Sequence, residues 1–278
     1  MPNPPITAPK HLLSLDSSTL QVAAKAALAG SQIVLDYFER GVSMRSKDDE
    51  ASYNLVSDAD VKSEQAIAHS IRSAFPTHEI AGEEENVGDV TAEDVWVIDP
   101  LDGTNNFAHN IPHFAVCIGY YHREAATSAV VVNPVRGDWY YAVRGGGAFH
   151  NGQPLGVSNA KSLDEVMVGC GFYYDRGEMM RATLATVEAF FEQQIHGIRR
   201  FGTAALDLCQ VASGQFGAFF EYQLAAWDFA AARLILEEAG GTITDARGQP
   251  LKLQTSSILA SNTHLHAAAL SITERFHP

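Results

Sequence analysis

Apolar positions along this chain change their period several times, and each change marks an element. From Ser17 onward, Leu20, Ala23, Ala24, Ala27, Leu28, Val34, Leu35 and Phe38 recur at helical spacing behind Ser and Thr caps, which predicts a long amphipathic helix. A second helix is marked by Val61, Ile67, Ala68, Ile71 and Phe75, with Ser57 or Asp58 placed to cap it. One cap suffices, which leaves Asp60 for other work. Strand-like runs then occupy 95–98, 114–121, 129–132, 138–143 and 148–149, with Gly145-Gly146-Gly147 and Asn151-Gly152 as turns. They predict an antiparallel sheet. Farther on, strand and helix patterns alternate: strand 166–172, helix 177–194, strand 198–201, helix 204–213, strand 217–222, and a helix over 228–239 closed by Gly240-Gly241. Strands at 242–244 and 258–260 complete it. The pattern predicts an N-terminal α+β lobe over 1–155 and a C-terminal α/β lobe over 156–278. Residues 1–14, with four prolines, read as a frayed terminus, and 41–52, dense in charge, as a mobile loop.

Composition narrows the function. At 278 residues and 46% hydrophobic content the chain has enough apolar material for two lobes or one large layered domain. No apolar run approaches the ~20 residues that cross a bilayer, and Met1-Pro2-Asn3-Pro4-Pro5 lacks the basic-then-apolar order of a signal peptide. The expectation is a cytoplasmic protein with no membrane partner. Cys117, Cys170 and Cys209 lie far apart among apolar neighbours and read as reduced core thiols. A net charge of −14 argues against a nucleic-acid partner, because phosphate backbones are held by Lys and Arg.

The chemistry concentrates where the run Val95-Trp96-Val97-Ile98 stops at Asp99-Pro100-Leu101-Asp102-Gly103-Thr104-Asn105-Asn106-Phe107. A strand that ends in this way delivers two carboxylates to its carboxyl end, where open α/β sheets place their sites. Pro100 biases Asp99 toward extended geometry, so Asp99 and Asp102 can face one point. Two hard-oxygen donors with the Leu101 carbonyl between them suit Mg²⁺ better than Zn²⁺. His109 and His113 flank the stretch, but Pro112 interrupts any helical His pair, so both read as structural. The Gly triplet at 145–147 has no following helix-plus-Lys pattern and reads as hairpin chemistry, unlike a nucleotide-binding loop.

The run Asp99-Pro100-Leu101-Asp102-Gly103-Thr104-x-Asn106-Phe107 closely resembles the signature of the inositol monophosphatase family of magnesium-dependent, lithium-sensitive sugar phosphatases. A second hallmark stands at Trp227-Asp228 followed by Glu237-Glu238-Ala239-Gly240-Gly241, and Gly82-Glu83-Glu84 matches a third, so that the resemblance covers roughly 17–265. It implies a layered α-β-α-β-α sandwich with an antiparallel N-terminal sheet and a mixed C-terminal sheet. It also implies two to three magnesium ions. Asp99 would bridge two of them, with Glu83 and the Leu101 carbonyl on one and Asp102 and Asp228 on the other, and a third, weaker ion would lie near Glu83. Asp60 and Thr104 would orient and deprotonate the attacking water on the metal that Glu83 helps to hold, and Gly103 and Thr104 N–H groups would bind phosphate oxygens. Glu221 and the segment Gly202-Thr203-Ala204 match positions that contact the substrate beside Asp102 and Asp228. Ala225 and Ala226 differ from the residues of animal relatives. In the family the loop over 41–52 folds over the metal site, which would bring Lys47 toward it.

The activity implied is hydrolysis of a small phosphorylated polyol or amino alcohol, with inositol monophosphate leading. Histidinol phosphate is the alternative, its ammonium group answered by Glu221, and fructose-1,6-bisphosphate a third. A non-catalytic interaction protein of the same fold is the alternative outside enzymology, since some bacterial relatives bind transcription machinery. The family's habit suggests a homodimer.

Overall fold

The computed structural model of the chain describes residues 6–41, 43–46 and 55–278. Lys47 and residues 47–52 of the charge-dense loop lie outside the described residues. A short helix α1 (Lys10–Ser14) is anchored by the fully buried Leu12 and leads into α2 (Ser18–Arg40). Ser17 caps α2, its Oγ accepting from Leu20 N–H at 3.2 Å. β1 (Arg45–Ser46) and β2 (Leu55–Val56) pair antiparallel, and α3 (Asp58–Ala74) follows.

Next come β3 (Glu79–Gly82), β4 (Asp94–Asp102), the short α4 (Thr104–Ala108), β5 (Ala115–His122), β6 (Ala125–Asn133), β7 (Asp138–Val143), β8 (Gly147–His150) and β9 (Gln153–Pro154). These strands form a seven-stranded sheet in chain order. It is antiparallel except at β3–β4, which run parallel. β10 (Met167–Cys170), α5 (Glu178–Glu192), β11 (Gly197–Arg199), α6 (Ala204–Ala212), β12 (Ala218–Leu224), α7 (Ala226–Glu238), β13 (Gly241–Thr244), β14 (Ser256–Asn262) and α8 (His266–Arg275) complete the chain. Their strands form a five-stranded mixed sheet ordered β11-β10-β12-β14-β13.

Side-chain alternation explains how these pieces stack. In β4, Trp96 and Ile98 pack toward α2 and α3, while Val95 and Val97 pack toward α6 and α7; β5 and β6 split their residues in the same way. A sheet covered on both faces needs apolar residues at every position, hence the unbroken run before Asp99. Between the sheets, α6 and α7 are buried nearly all round, from Ala204 to Ala212 and from Ala226 to Leu236, as helices in an inner layer must be. α5 and α8 close the outer face of the second sheet around Phe190, Phe220 and Leu259. The result is five layers, α-β-α-β-α.

Four expectations need correcting. The proline-rich start contains α1, because Leu12 finds a core position. The charge-dense loop expected over 41–52 contains β1 at Arg45–Ser46. The first sheet carries a parallel pair, since the chain crosses from β3 to β4 by a connection instead of a hairpin. The helix α8 lies where no element was predicted, because only Ala269, Ile272 and Thr273 of its residues are buried.

Candidate active site

β4 carries Asp99 and Asp102 to its carboxyl end, and a bulge decides where they point. Asp99 pairs with Cys117 and Asp102 with Ala115, so three steps on β4 match two on β5. Residues three apart on a regular strand face opposite sides; one extra residue restores them to the same side. Pro100, which has no N–H to give the ladder, sits in the irregular step. Both carboxylates line one cavity of about 350 Å³. Asp99 accepts from Leu101 N–H at 2.9 Å, and Asp102 from Ala205 N–H at 2.8 Å across the layer boundary.

The turn after Asp102 has Gly103 at φ 95°, a left-handed conformation that a side chain would strain. A Cβ there would also stand 2.7 Å from Thr203 Oγ1, so the glycine leaves room for the Thr203 side chain against the turn. Asn106 fastens the same junction, its Nδ2 donating to His113 O and Phe201 O at 2.8 Å each.

Asp60 does more than the sequence suggested. It is fully buried at the third position of α3, where its Oδ2 accepts from Ser57 N–H at 2.8 Å and Ser57 Oγ–H at 2.7 Å in a capping box. Its other oxygen lies 3.3 Å from Thr104 Oγ, which is also 3.1 Å from Leu101 O. The single hydroxyl proton can serve one acceptor at a time. Asp60 is thus a helix cap whose second oxygen stands behind Thr104; Thr104 lines the cavity, and Asp60 is not among its lining residues.

Glu83, Asp228, Gly202, Thr203, Ala204 and Glu221 line the same cavity as Asp99, Leu101, Asp102, Gly103 and Thr104. Asp228 sits in the first turn of α7, where its Oδ2 accepts from Ala225 N–H at 2.7 Å. Burial, then the carboxylates of Glu83, Asp102 and Asp228, push the Asp99 pKa well up; burial and Asp228 do the same to Asp102. Glu221, 8% exposed in β12, is raised by burial and then by Asp228. Such crowding of like charge calls for a cation.

Of the lining residues not singled out from the sequence, Asp207, Arg200 and Tyr173 bear most on the chemistry. Asp207 in α6 is 1% exposed, its Oδ1 has no hydrogen-bond partner, and burial raises its pKa well above the usual carboxylate range. Arg200 is the only basic residue among the described lining residues, and Tyr173 lines the cavity too. The signal for Asp207 was an acid inside the otherwise apolar Ala204-Ala205-Leu206-Asp207-Leu208-Cys209. His113 is half-buried with Nε2 unpartnered and its ring 5.2 Å from that of Phe201, away from the lining residues. The three cysteines are buried thiols.

Among the described residues no three acids or histidines already stand in a closed ligand cage; Asp99, Asp102 and Asp228 turn oxygens to backbone N–H groups instead. Their chemistry nevertheless fits a small hard cation: several buried carboxylates, a backbone carbonyl, and no thiolate or imidazole in the lining.

Five alternating layers with an acid-lined cavity between the two sheets define a sugar-phosphatase type of α/β sandwich. Comparison with known proteins is more specific. The model of the inositol monophosphatase family matches residues 15–276, and the chain belongs to that family. A protein of Pseudomonas aeruginosa named Nus factor SuhB is 39% identical over 93% of this chain and 97% of its own length. An inositol-1-monophosphatase of Rhizobium meliloti is 38% identical over 93% and 97%. The crystal structure of the extragenic suppressor protein suhB of Bartonella henselae superimposes with a TM-score of 0.86 at 31% identity, covering 93% of this chain and 99% of the other. No helix among the described residues is long and apolar enough to cross a membrane.

Proposed function

We propose that the chain is a magnesium-dependent phosphomonoesterase acting on a small phosphorylated polyol, inositol monophosphate first among them. The observation that carries this reading is the meeting of Glu83, Asp99, Asp102 and Asp228, from distant stretches, on one cavity that Thr104 and Glu221 also line. Glu83, Asp99 and the Leu101 carbonyl would hold one ion and Asp99, Asp102 and Asp228 a second, with a third, weaker one beside Glu83. Bound magnesium would supply positive charge to the phosphoryl oxygens and acidify a water.

The chain's own residues do the rest. Asp60, oriented by Ser57, takes through the Thr104 hydroxyl the proton that the attacking water loses. The water oxygen bonds to phosphorus, the ester P–O bond breaks, and the departing alkoxide takes a proton from solvent. N–H groups of Gly103 and Thr104 face the phosphate at the start of α4, where no intrahelical acceptor claims them. Glu221, with the Gly202-Thr203-Ala204 turn, Asp102 and Asp228, orients the hydroxyls of the polyol.

The test is phosphate release from inositol, histidinol, fructose and adenosine phosphates with and without Mg²⁺. Magnesium-dependent turnover fastest on inositol monophosphate is the expected result, and no turnover on any ester overturns the reading. The name of the Pseudomonas relative favours a second reading, an interaction protein of the transcription machinery. A cellular phenotype that survives Asp102→Asn without phosphatase activity would support it. The same assignment carries a cytoplasmic homodimer inhibited by lithium, with its lobes meeting near residue 155. Sedimentation and a lithium titration check these.

A further inference from the structure

Directly after the Gly82-Glu83 step the chain makes a tight loop, closed by Gly82 N–H donating to Asn86 O at 2.8 Å and by the bridge between Ala81 and Val87. Three consecutive N–H groups inside that loop need an acceptor. All three find the same one: Glu64, whose Oε2 accepts from Glu84 N–H and whose Oε1 accepts from Glu85 N–H and Asn86 N–H, each at 2.8 Å. The Asn86 side chain adds a fourth bond to Oε1 at 2.8 Å. Successive backbone N–H groups converging on one carboxylate form an anion nest, here filled by the protein itself. Glu64 is fully buried, so water does not compete. Gly82 completes the fit: a Cβ on it would stand 2.6 Å from the Glu64 carboxyl carbon.

Glu64 stands one turn after Asp60 on the same face of α3, and Ser63 beside it donates to Pro100 O at 3.1 Å. One helical face therefore reaches Thr104 through Asp60, the β4 bulge through Ser63, and the loop behind Glu83 through Glu64.

We infer that Glu64 is a positioning residue for Glu83: by gripping the three N–H groups that follow it, Glu64 fixes the backbone that aims Glu83 into the cavity. The metal consequence rests on the function proposed above, while the positional claim does not. Glu64→Gln keeps the size but sets an NH₂ against N–H donors, so one side of the nest opens. Gly82→Ala presses on the carboxylate from the other side and should act in the same direction. Ile67→Val, on the core side of the same helix, is the control for general loosening.

Two readouts separate the claims in the full chain. Amide hydrogen exchange at 84–86, in the absence of metal, should speed up by about tenfold or more in Glu64→Gln and Gly82→Ala but not in Ile67→Val. Calorimetric titration with Mg²⁺ should show a dissociation constant raised ~10–100-fold in the first two variants and little changed in the third. Unchanged exchange at 84–86 in Glu64→Gln overturns the inference whatever the metal does. Faster exchange with unaltered Mg²⁺ affinity overturns the link to Glu83. A parent chain that binds no Mg²⁺ overturns the proposed function, and exchange alone then decides the role of Glu64.

Discussion

The two sides of the cavity are built differently. On the side of α3 and β4, Asp99 and Asp102, and Asp60 behind Thr104, each accept a backbone N–H at 2.8–2.9 Å, and each is held before any ligand arrives. On the side of α6 and β12, Asp207 has a buried oxygen with no partner, whereas the burial that raises carboxylate pKa values is common to Asp99 and Asp102 on the one side and Asp207 and Glu221 on the other. A fixed constellation suits chemistry that repeats unchanged on every phosphate ester; an acid left wanting a donor, as Asp207 is, suits the part of the ligand that varies. Under the function proposed above, we propose that the first side chiefly sets reactivity and that Asp207 and Glu221 on the second chiefly set choice.

The largest test of that division is Asp99→Asn. It should lower turnover by about 10³-fold or more, because the function proposed above uses that charge to hold cations at the phosphoryl group. It should also raise the thermal midpoint of the metal-free protein, since a neutral amide replaces a crowded buried carboxylate. About 1 kcal/mol, or roughly 2–4 °C, is the scale to look for by calorimetry. Activity retained at the parental level would remove the first side from the chemistry.

Thr104→Ala comes next, with a loss of about 10²–10⁴ in kcat and little change in KM, the range for a positioned proton-transfer group. Steady-state kinetics in saturating Mg²⁺ measures it. A KM effect instead would move Thr104 to the choosing side.

Glu221→Gln should do the reverse. It should raise KM for the preferred ester about tenfold, the worth of one hydrogen bond to a charged acceptor, and leave kcat within about threefold. A panel of polyol and amino-alcohol phosphates should reorder its ranking in this variant alone.

The smallest effect concerns stability against pH. The folded-state pKa of Asp207 is raised by burial, so its contribution is fully present below the unfolded value and is lost as pH rises through the folded one. Metal-free protein should therefore lose thermal stability as pH climbs out of the acid range, and Asp207→Asn should flatten that slope. Scanning calorimetry between pH 5 and 8 reads it directly.

The sequence made the first side readable because it is written as a contiguous word, Asp99 to Phe107, at the end of an apolar run that no exposed strand would carry. The inner-layer helices were visible for a similar reason, since α6 and α7 are apolar around most of their circumference, with Asp207 and Asp228 among the few exceptions. Glu64 was hidden in Lys62-Ser63-Glu64-Gln65, a run that resembles solvated surface until Ile67, Ala68 and Ile71 are seen to continue the same inward face. Reading Asp60 as free of capping duty missed that a carboxylate has two oxygens, one for Ser57 and one for Thr104. α8 escaped because its few buried residues leave no clear stripe.

The bulge in β4 makes chain length at that point a matter of parity. Loss or gain of a single residue between Asp99 and Asp102 would swing one carboxylate through the sheet, into the aromatic and aliphatic packing around Trp96 and Phe114. Such a change would not weaken the centre by degrees. Odd-length indels there should be silenced outright, whereas the surface turns at Gly137 and Gly145, with open space around them, can absorb them.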